Sequence, residues 1–297
     1  MTAKTCDYKF EATLGAGSFG SVHLVRKRQG GKTFVIKEQN VVGEMAKSSW
    51  EMAVSEVRCL KKMRHPNIIT YHDAWNEENR FYILMEYATR GTLKDLLDRR
   101  RKPLSNEDSL YLFSQVALGV HHIHSRGILH RDLKPENVML TGRLGEVVKI
   151  GDFGVSKNIR EQSGVKLAGS YYFMAPEMLR GEPDCDFKSD IWSIGAILYW
   201  MVTYELPFQA TALKDLIDAV CSSRIRPFEL PICTEVVNLV SKMLRNNPTH
   251  RPSAAQLLLC PFLVPFVIRH HINLGRVALP RHRHQTDPIS SYLKNLK

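Results

Sequence analysis

The stretch His130-Arg-Asp-Leu-Lys-Pro-Glu-Asn137, followed by Asp152-Phe-Gly154, constrains this chain more than any other. It sets two carboxylates (Asp132, Asp152), one lysine (Lys134) and one amide (Asn137) in loops beside the short apolar runs Val138 to Leu140 and Val147 to Ile150, which read as strands. Hard oxygen donors in that setting suit Mg²⁺, and a carboxylate beside a lysine suits placing a hydroxyl near a phosphate. Read singly, Asp132 is equally a helix cap and Asp152 a turn former. Their order, after a glycine-rich segment and a lysine/glutamate pair, argues against that reading of both.

The glycine-rich segment Gly15-Ala-Gly-Ser-Phe-Gly-Ser-Val22 has the G-x-G-x-x-G-x-V spacing. Glycines let backbone N–H groups approach a phosphate with no side chain between. Here they lead into the alternating Ser21 to Val25, the turn pair Gly30-Gly31 and the alternating Thr33 to Lys37. That is an antiparallel hairpin, not the helix a dinucleotide site would open. Ser21 stands where a Walker A loop needs lysine. A hairpin tip that needs glycine for its turn is the alternative. Lys37 either snorkels to water or faces phosphate. Between about Ser48 and Met63, Ala53, Glu56, Val57 and Leu60 share one helix face, so Glu56 points inward and needs a cation; Lys37 is the basic residue of the preceding strand. Glu51 lies about 140° around the helix from Glu56 and is the poorer candidate.

With 41 Lys and Arg against 30 Asp and Glu the chain carries +11, and 44% of its 297 residues are hydrophobic. This excludes an acidic disordered chain and provides core for one large domain or two lobes. The basic excess admits nucleotide phosphates, nucleic acid or an anionic membrane as partners; with no zinc finger or aromatic-basic element, nucleic acid is not expected. Six scattered cysteines without a C-x-x-C predict reduced thiols and no metal knot. Met1 to Glu11 lacks the apolar core of a secretory signal, and the longest apolar run, Ile194 to Val202, is short of the roughly 18 to 20 residues that span a bilayer, so no membrane span is expected. The pattern is strand-rich to about residue 90 and helical beyond, with helices over Leu93 to Asp98 and Asp108 to His124. A small β-rich lobe before a larger helical one predicts a ligand cleft between them.

Together these residues make the chain resemble a eukaryotic protein kinase domain of serine/threonine type, over roughly Tyr8 to Ile268. The resemblance implies an α+β fold in two lobes: residues 8–87 a small antiparallel sheet with one helix, 88–268 a larger, mainly helical lobe, then 269–297 a basic tail. It implies ATP as co-substrate with Mg²⁺ or Mn²⁺. Leu14, Gly15, Ala16, Gly17, Ser18 and Gly20 would cover the nucleotide. Val22, Val35 and Met139 would sandwich adenine, with Met85 as gatekeeper and Glu86, Tyr87 and Ala88 as hinge. Lys37, held by Glu56, would hold the α- and β-phosphates; Asp132 would accept or orient the substrate hydroxyl proton; Lys134 would neutralise the moving phosphoryl group; Asn137 and Asp152 would coordinate the metal. Glu177 would pair with Arg251, Asp190 would steady the catalytic loop, and Leu60, Tyr71, His130 and Phe153 would stack between the lobes.

Lys134-Pro-Glu136 and Ser170, six residues before Pro176, resemble serine/threonine rather than tyrosine kinases, so Ser and Thr hydroxyls of protein substrates are the expected acceptors. Glu136 is either a solvated loop carboxylate or a contact for a basic substrate residue. The runs Phe34 to Glu38, Ile150 to Gly154, Lys188 to Trp192 and Leu239 to Leu244 resemble the NIMA-related kinases, whereas Val155 to Lys157 and Met174 to Glu177 look more like the Ste20 group. A non-catalytic module of the same fold is the further alternative. Arg131 would grip a phosphate on the activation segment, with Ser163 the candidate, unless Lys166 orders that loop without one. Residues 269–297 hold six Lys and Arg against one Asp, about half the excess charge, and read as an arm for a docking partner. Arg99 to Lys102 reads as a solvated helix end, docking being the alternative; His121, His122 and His124 read as ordinary helix residues, and Tyr171 and Tyr172 as packing. The expected setting is intracellular and cytoplasmic, with nucleus and cytoskeleton open.

Overall fold

In the computed structural model, residues 4–17, 20–41, 46–154, 157–158, 171–183, 185–210, 212–229 and 231–275 are described. The alternating first part forms a five-stranded antiparallel sheet of β1 (Tyr8–Gly17), β2 (Gly20–Lys27), β3 (Thr33–Asn40), β4 (Tyr71–Glu77) and β5 (Arg80–Met85), ordered β1-β2-β3-β5-β4. Gly30 and Gly31 join β2 to β3 with φ of 84° and 65°, the left-handed backbone that such a turn requires. The glycine segment is itself the β1–β2 hairpin, with Gly17 opposite Gly20, so the sheet starts well before the alternation read from Ser21.

Register decides what faces the cleft. Lys37 stands opposite Val22 on β2 and Ile83 on β5, and Val35 opposite Met85. Cross-strand partners and alternate residues point the same way, so all five share one face. Helix α1 (Ala46–Lys61) packs there. The other face has its own small core of Val25, Phe34, Ile36, Tyr82 and Leu84, closed by the stacked rings of Tyr8, Trp75 and Tyr82.

Helix α2 (Leu93–Arg100) begins at Thr92, whose hydroxyl accepts from Asp95 N while the Asp95 carboxylate accepts from Thr92 N, a reciprocal cap. The long helices α3 (Asn106–Ser125) and α5 (Phe187–Thr203) form the centre of the helical lobe, and the run Ile194 to Val202 is buried within α5. Between them lie β6 (Ile128–Leu129), β7 (Val138–Thr141), β8 (Val147–Ile150), β9 (Lys157–Asn158) and α4 (Pro176–Leu179), with β6 paired to β9 and β7 to β8. Next come α6 (Leu213–Cys221), α7 (Thr234–Met243), α8 (Ala254–Leu258) and α9 (Val264–Asn273). Gly119 brings α3 against β8: a β-carbon there would sit 2.7 Å from Ile150 Cδ1 and 3.0 Å from Asn67 O. One buried cluster runs from Val35 and Met85 through Ile68 and Ile150 to Trp192 and Leu257, so the lobes share a core. Each fully buried side chain in it, such as Ile68, stabilises by about 1.5–3 kcal/mol.

The boundary expected after residue 268 falls inside α9. Pro265 lies in the first turn of that helix, where its missing N–H has no intrahelical partner to lose, so it starts the helix instead of breaking the run. His270 is buried and its Nε2 donates to Asn67 Oδ1 at 3.1 Å, while Asn273 Nδ2 donates to the Tyr111 hydroxyl at 2.9 Å. Arg269, His270 and His271 therefore belong to the helical lobe, and the rest of the basic segment, 276–297, lies outside the described residues. Among the described residues no helix is long and apolar enough to cross a membrane.

Candidate active site

Gly20 fixes the hairpin above the cleft. Its φ is 130°, and a β-carbon would lie 1.8 Å from Glu38 O, so glycine is required. Gly15 has open space around it, and Leu14 and Ala16 beside it on β1 are exposed. Ser18 lies outside the described residues. Val22, Val35, Met85, Ala88 and Met139 all join the apolar cluster shared by the lobes. Glu86 N donates to Thr70 O at 2.9 Å, whereas no backbone hydrogen bond among the described residues uses Glu86 O or Ala88 N. An apolar slot with one free acceptor and one free donor suits a planar heterocycle.

Lys37 Nζ lies 2.9 and 3.0 Å from the two Glu56 oxygens and 2.8 Å from Asp152 Oδ1, and Gln39 Nε2 donates to Glu56 Oε2 at 3.0 Å. Glu56 is buried and Glu51 exposed, as the helix phase requires. Burial alone would lower the Lys37 pKa, but Glu56 and Asp152 outweigh it and the net shift is up. Burial pushes the Glu56 carboxyl up, with Lys37 opposing, a direction that on its own disfavours the ion pair. The geometry decides for the ionised pair, because the ammonium is gripped by two carboxylates at once. Burial would raise Asp152 as well, yet Lys37 brings it down to about 2. Asp152 sits at φ 58°, left-handed backbone held in place by these contacts.

Asp132 accepts from Lys134 Nζ at 2.9 and 2.7 Å and from Asn137 Nδ2 at 2.9 Å. Burial raises its pKa against the pull of Lys134, which moves the carboxylate toward proton acceptance. Asn137 also donates from Nδ2 to Asp132 O at 2.7 Å, so its side-chain oxygen is left for a cation. The loops carrying Asn137 and Asp152 are tied together: Gly151 N donates to Asn137 O at 3.0 Å and His130 Nε2 to Gly151 O at 3.1 Å. Two hard oxygen side chains fit Mg²⁺, which keeps water and phosphate ligands in preference to an all-protein cage. The whole can hold the phosphates of a nucleotide under the hairpin and orient a hydroxyl toward them.

Comparison with known proteins settles what carries this arrangement: the model of the protein kinase domain matches residues 8–263. The chain belongs to the protein kinase domain family. It is 38% identical over 264 residues to serine/threonine-protein kinase Nek3 of Mus musculus, covering 88% of this chain and 50% of that protein. It is 34% identical over 259 residues to Nek5 of Mus musculus (86% and 40%) and 32% identical over 311 residues to Nek2 of Homo sapiens (99% and 69%). The chain thus spans two fifths to a half of the first two relatives. Nek relatives favour the NIMA-related reading over the Ste20-like one.

Buried polar pairing holds the kinase domain's site. Asp190 accepts from His130 N at 2.9 Å, Arg131 N at 3.0 Å and His124 Nε2 at 2.9 Å; burial would raise its pKa, but His124 and His130 prevail and lower it. Glu177 and Arg251 meet through two contacts of 2.7 and 2.8 Å. His130 and Phe153 lie 4.9 Å apart ring to ring, with Leu60 and Phe153 fully buried and Tyr71 packed at the margin of the same cluster. Tyr171 and Tyr172 pack against that cluster too. Ser163, Ser170 and Lys166 lie outside the described residues.

Two contributors and one side-chain role escaped the sequence reading. His124 is the third donor to Asp190, and its signal was its place in the last turn of α3, just before the catalytic loop. Glu86 uses its side chain as well as its backbone, accepting from Thr70 Oγ1 at 2.7 Å and Lys149 Nζ at 2.9 Å. Asn67 is buried, donates to Val148 O at 3.0 Å and Gln115 Oε1 at 3.2 Å, and accepts from Ile150 N at 2.9 Å, which fixes the strand that leads to Asp152. The turn-forming His65-Pro-Asn67 was its only trace in the sequence.

Proposed function

We propose that this chain is an active serine/threonine protein kinase domain of NIMA-related type, moving the γ-phosphate of ATP, as its Mg²⁺ or Mn²⁺ complex, onto Ser or Thr hydroxyls of proteins. The observation that carries this is the Lys37 ammonium held between Glu56 and Asp152. A non-catalytic module has no use for so many partly desolvated charges in one place, which cost stability unless function repays them.

A bound cation, which Asn137 and Asp152 would hold, would supply positive charge against the charge that develops on the phosphates. The chain's own residues do the remaining work. The glycine hairpin covers the phosphates, and Glu86 O and Ala88 N meet the adenine edge between Val22, Val35 and Met139. Lys37 holds the α- and β-phosphates, while Asn137 and Asp152 hold the cation through side-chain oxygens. Asp132 orients the acceptor hydroxyl and takes its proton; Lys134, already at Asp132, balances the charge of the moving phosphoryl group.

Arg131, at φ 70°, is partly buried with an Nε that has no partner among the described residues, which supports its receiving a phosphate placed on Ser163. Glu136 Oε2 is likewise buried and unpartnered there, in support of a contact with a basic substrate residue. Of the basic arm expected over 269–297, the part beyond α9, residues 276–297, would serve a docking partner, a reading supported by its five Lys and Arg against one Asp. The test is phosphate transfer from ATP to a generic basic protein by this chain and by Asp152→Ala. Loss of transfer in the variant is expected, and equal signals refute the reading. Ser163→Ala is expected to lower turnover; unchanged turnover in a phosphate-stripped, re-incubated sample removes that site.

A further inference from the structure

A groove of about 820 Å³ lies outside the catalytic cleft, bounded by the segment after the hinge (Thr89 to Gly91), α2 and the turn between β7 and β8. Leu140 lines it, and alternation along β7 turns Leu140 away from the side that Met139 presents to the adenine slot. Three arginines, Arg90, Arg99 and Arg101, stand around it, at the end of α2 that the Arg99 to Lys102 run occupies.

The charge here is only weakly offset: Glu146 in the β7–β8 turn feels Arg90 but forms no ion pair with it. Arg90 Nε donates to Gly142 O at 3.2 Å and Arg99 Nε to Asp95 O at 3.1 Å, so both guanidinium groups are spent on carbonyls and keep their full charge. The two acidic residues of the groove are engaged elsewhere: Asp95 caps α2 and Asp98 pairs with Lys94. Among the described residues no carboxylate lies within ion-pair distance of Arg90, Arg99 or Arg101. The rim also carries Leu144, at 88% the most exposed large hydrophobic side chain among the described residues. It is held out by a built turn: Glu146 accepts from Leu144 N at 2.7 Å and from Arg143 N at 3.2 Å, between Gly142 and Gly145 at φ 90° and 82°. A solvated helix end explains the arginines alone but not a groove with leucines beside them.

We propose that this groove docks an acidic segment of a protein partner that carries a large apolar side chain, the carboxylates meeting the arginines and the apolar group meeting Leu96, Leu140 and Leu144. The chain's own residues 276–297 have the wrong sign, with five Lys and Arg against one Asp. Nucleic acid is the poorer fit, because no aromatic side chain lines the groove to stack a base.

The probe is a fluorescein-labelled twelve-residue peptide of repeating Glu-Glu-Leu, read by anisotropy against the full chain. Saturable binding that weakens with added salt is expected. Arg101→Glu and Leu144→Ser, both exposed and outside the catalytic machinery, should each raise the dissociation constant about five- to tenfold, while ATP-dependent transfer to a short basic peptide stays unchanged. The proposal is overturned if the acidic peptide does not bind, if a Lys-Lys-Leu peptide or a single-stranded oligonucleotide binds as tightly, or if neither variant changes the affinity. Because binding is read without ATP, its failure is distinct from any failure of the kinase reading.

Discussion

Removing Arg251 tests how the activation-segment end of the domain is anchored. Arg251 is 1% exposed and its guanidinium donates to Glu177 Oε1 at 2.7 Å, Glu177 Oε2 at 2.8 Å, Arg245 O at 2.7 Å, Lys188 O at 2.9 Å and Asn246 O at 2.9 Å, with the Trp192 ring 5.0 Å away. In Arg251→Met the buried Glu177 keeps Ser189 Oγ at 2.7 Å but loses its counter-ion. Breaking one side of a buried pair costs about 3–5 kcal/mol, which at about 2–4 °C per kcal/mol lowers Tm by roughly 6–20 °C. Thermal unfolding followed by circular dichroism measures it. Arg251→Met/Glu177→Gln should recover much of the loss, since no charge is then left unpaired. The pH dependence has a defined sign. Burial would raise the Glu177 pKa, but Arg251 lowers it below the ordinary value of 4.5. The pair's stability is therefore fully present above that value and lost as pH falls through the lower folded-state pKa, so wild type and Arg251→Met should converge on acidification. A single variant that melts within about 2 °C of wild type, which is less than 1 kcal/mol, or a double variant worse than the single, refutes the reasoning.

Gly20→Ala should strain the hairpin by about 1–3 kcal/mol, read as a roughly 5- to 150-fold rise in the KM for ATP; Gly15→Ala, with open space around it, should leave Tm unchanged. Asp132→Asn should lower kcat by about 10²–10⁴-fold. Because burial raises the Asp132 pKa, its charge costs stability above that pKa, so the same variant should melt higher at neutral pH; a lower Tm means that the Lys134 contact outweighs burial. His270→Ala should cost about 1–3 kcal/mol by leaving Asn67 Oδ1 without its donor, and His270→Gln should restore part of it. Equal melting of His270→Ala and wild type contradicts the anchoring of α9.

What the sequence reveals here follows period and order. Glu56 was placed inward by a 3.6-residue phase and Lys37 by the strand before it, and both are local properties that tertiary contacts then reinforce. Gly20 could be picked out by spacing, but the reason only glycine fits, the Glu38 carbonyl on the neighbouring strand, depends on register and was invisible. The boundary expected after 268 followed charge, since Arg269 opens the basic segment, and no local signal shows that His270 is buried against Asn67. His124, Asn67 and His270 were missed for a shared reason. Each works as the partner of a buried polar group distant in sequence, and no periodicity marks such a partner.

The contacts at Asp152 join these threads. Lys37 and Glu56 come from the small lobe and Asp152 from the large one, so the 2.8 Å contact between Lys37 and Asp152 is a bond between lobes. With its pKa at about 2, Asp152 is ionised at neutral pH. Lys37 is also paired to Glu56 through both oxygens, so none of these three charges is left alone. The large-lobe side stays rigid because Gly151, just before Asp152, is bonded through its N–H to Asn137 O and through its carbonyl to His130. A cation entering the site would therefore meet a carboxylate that is already charged and already in place.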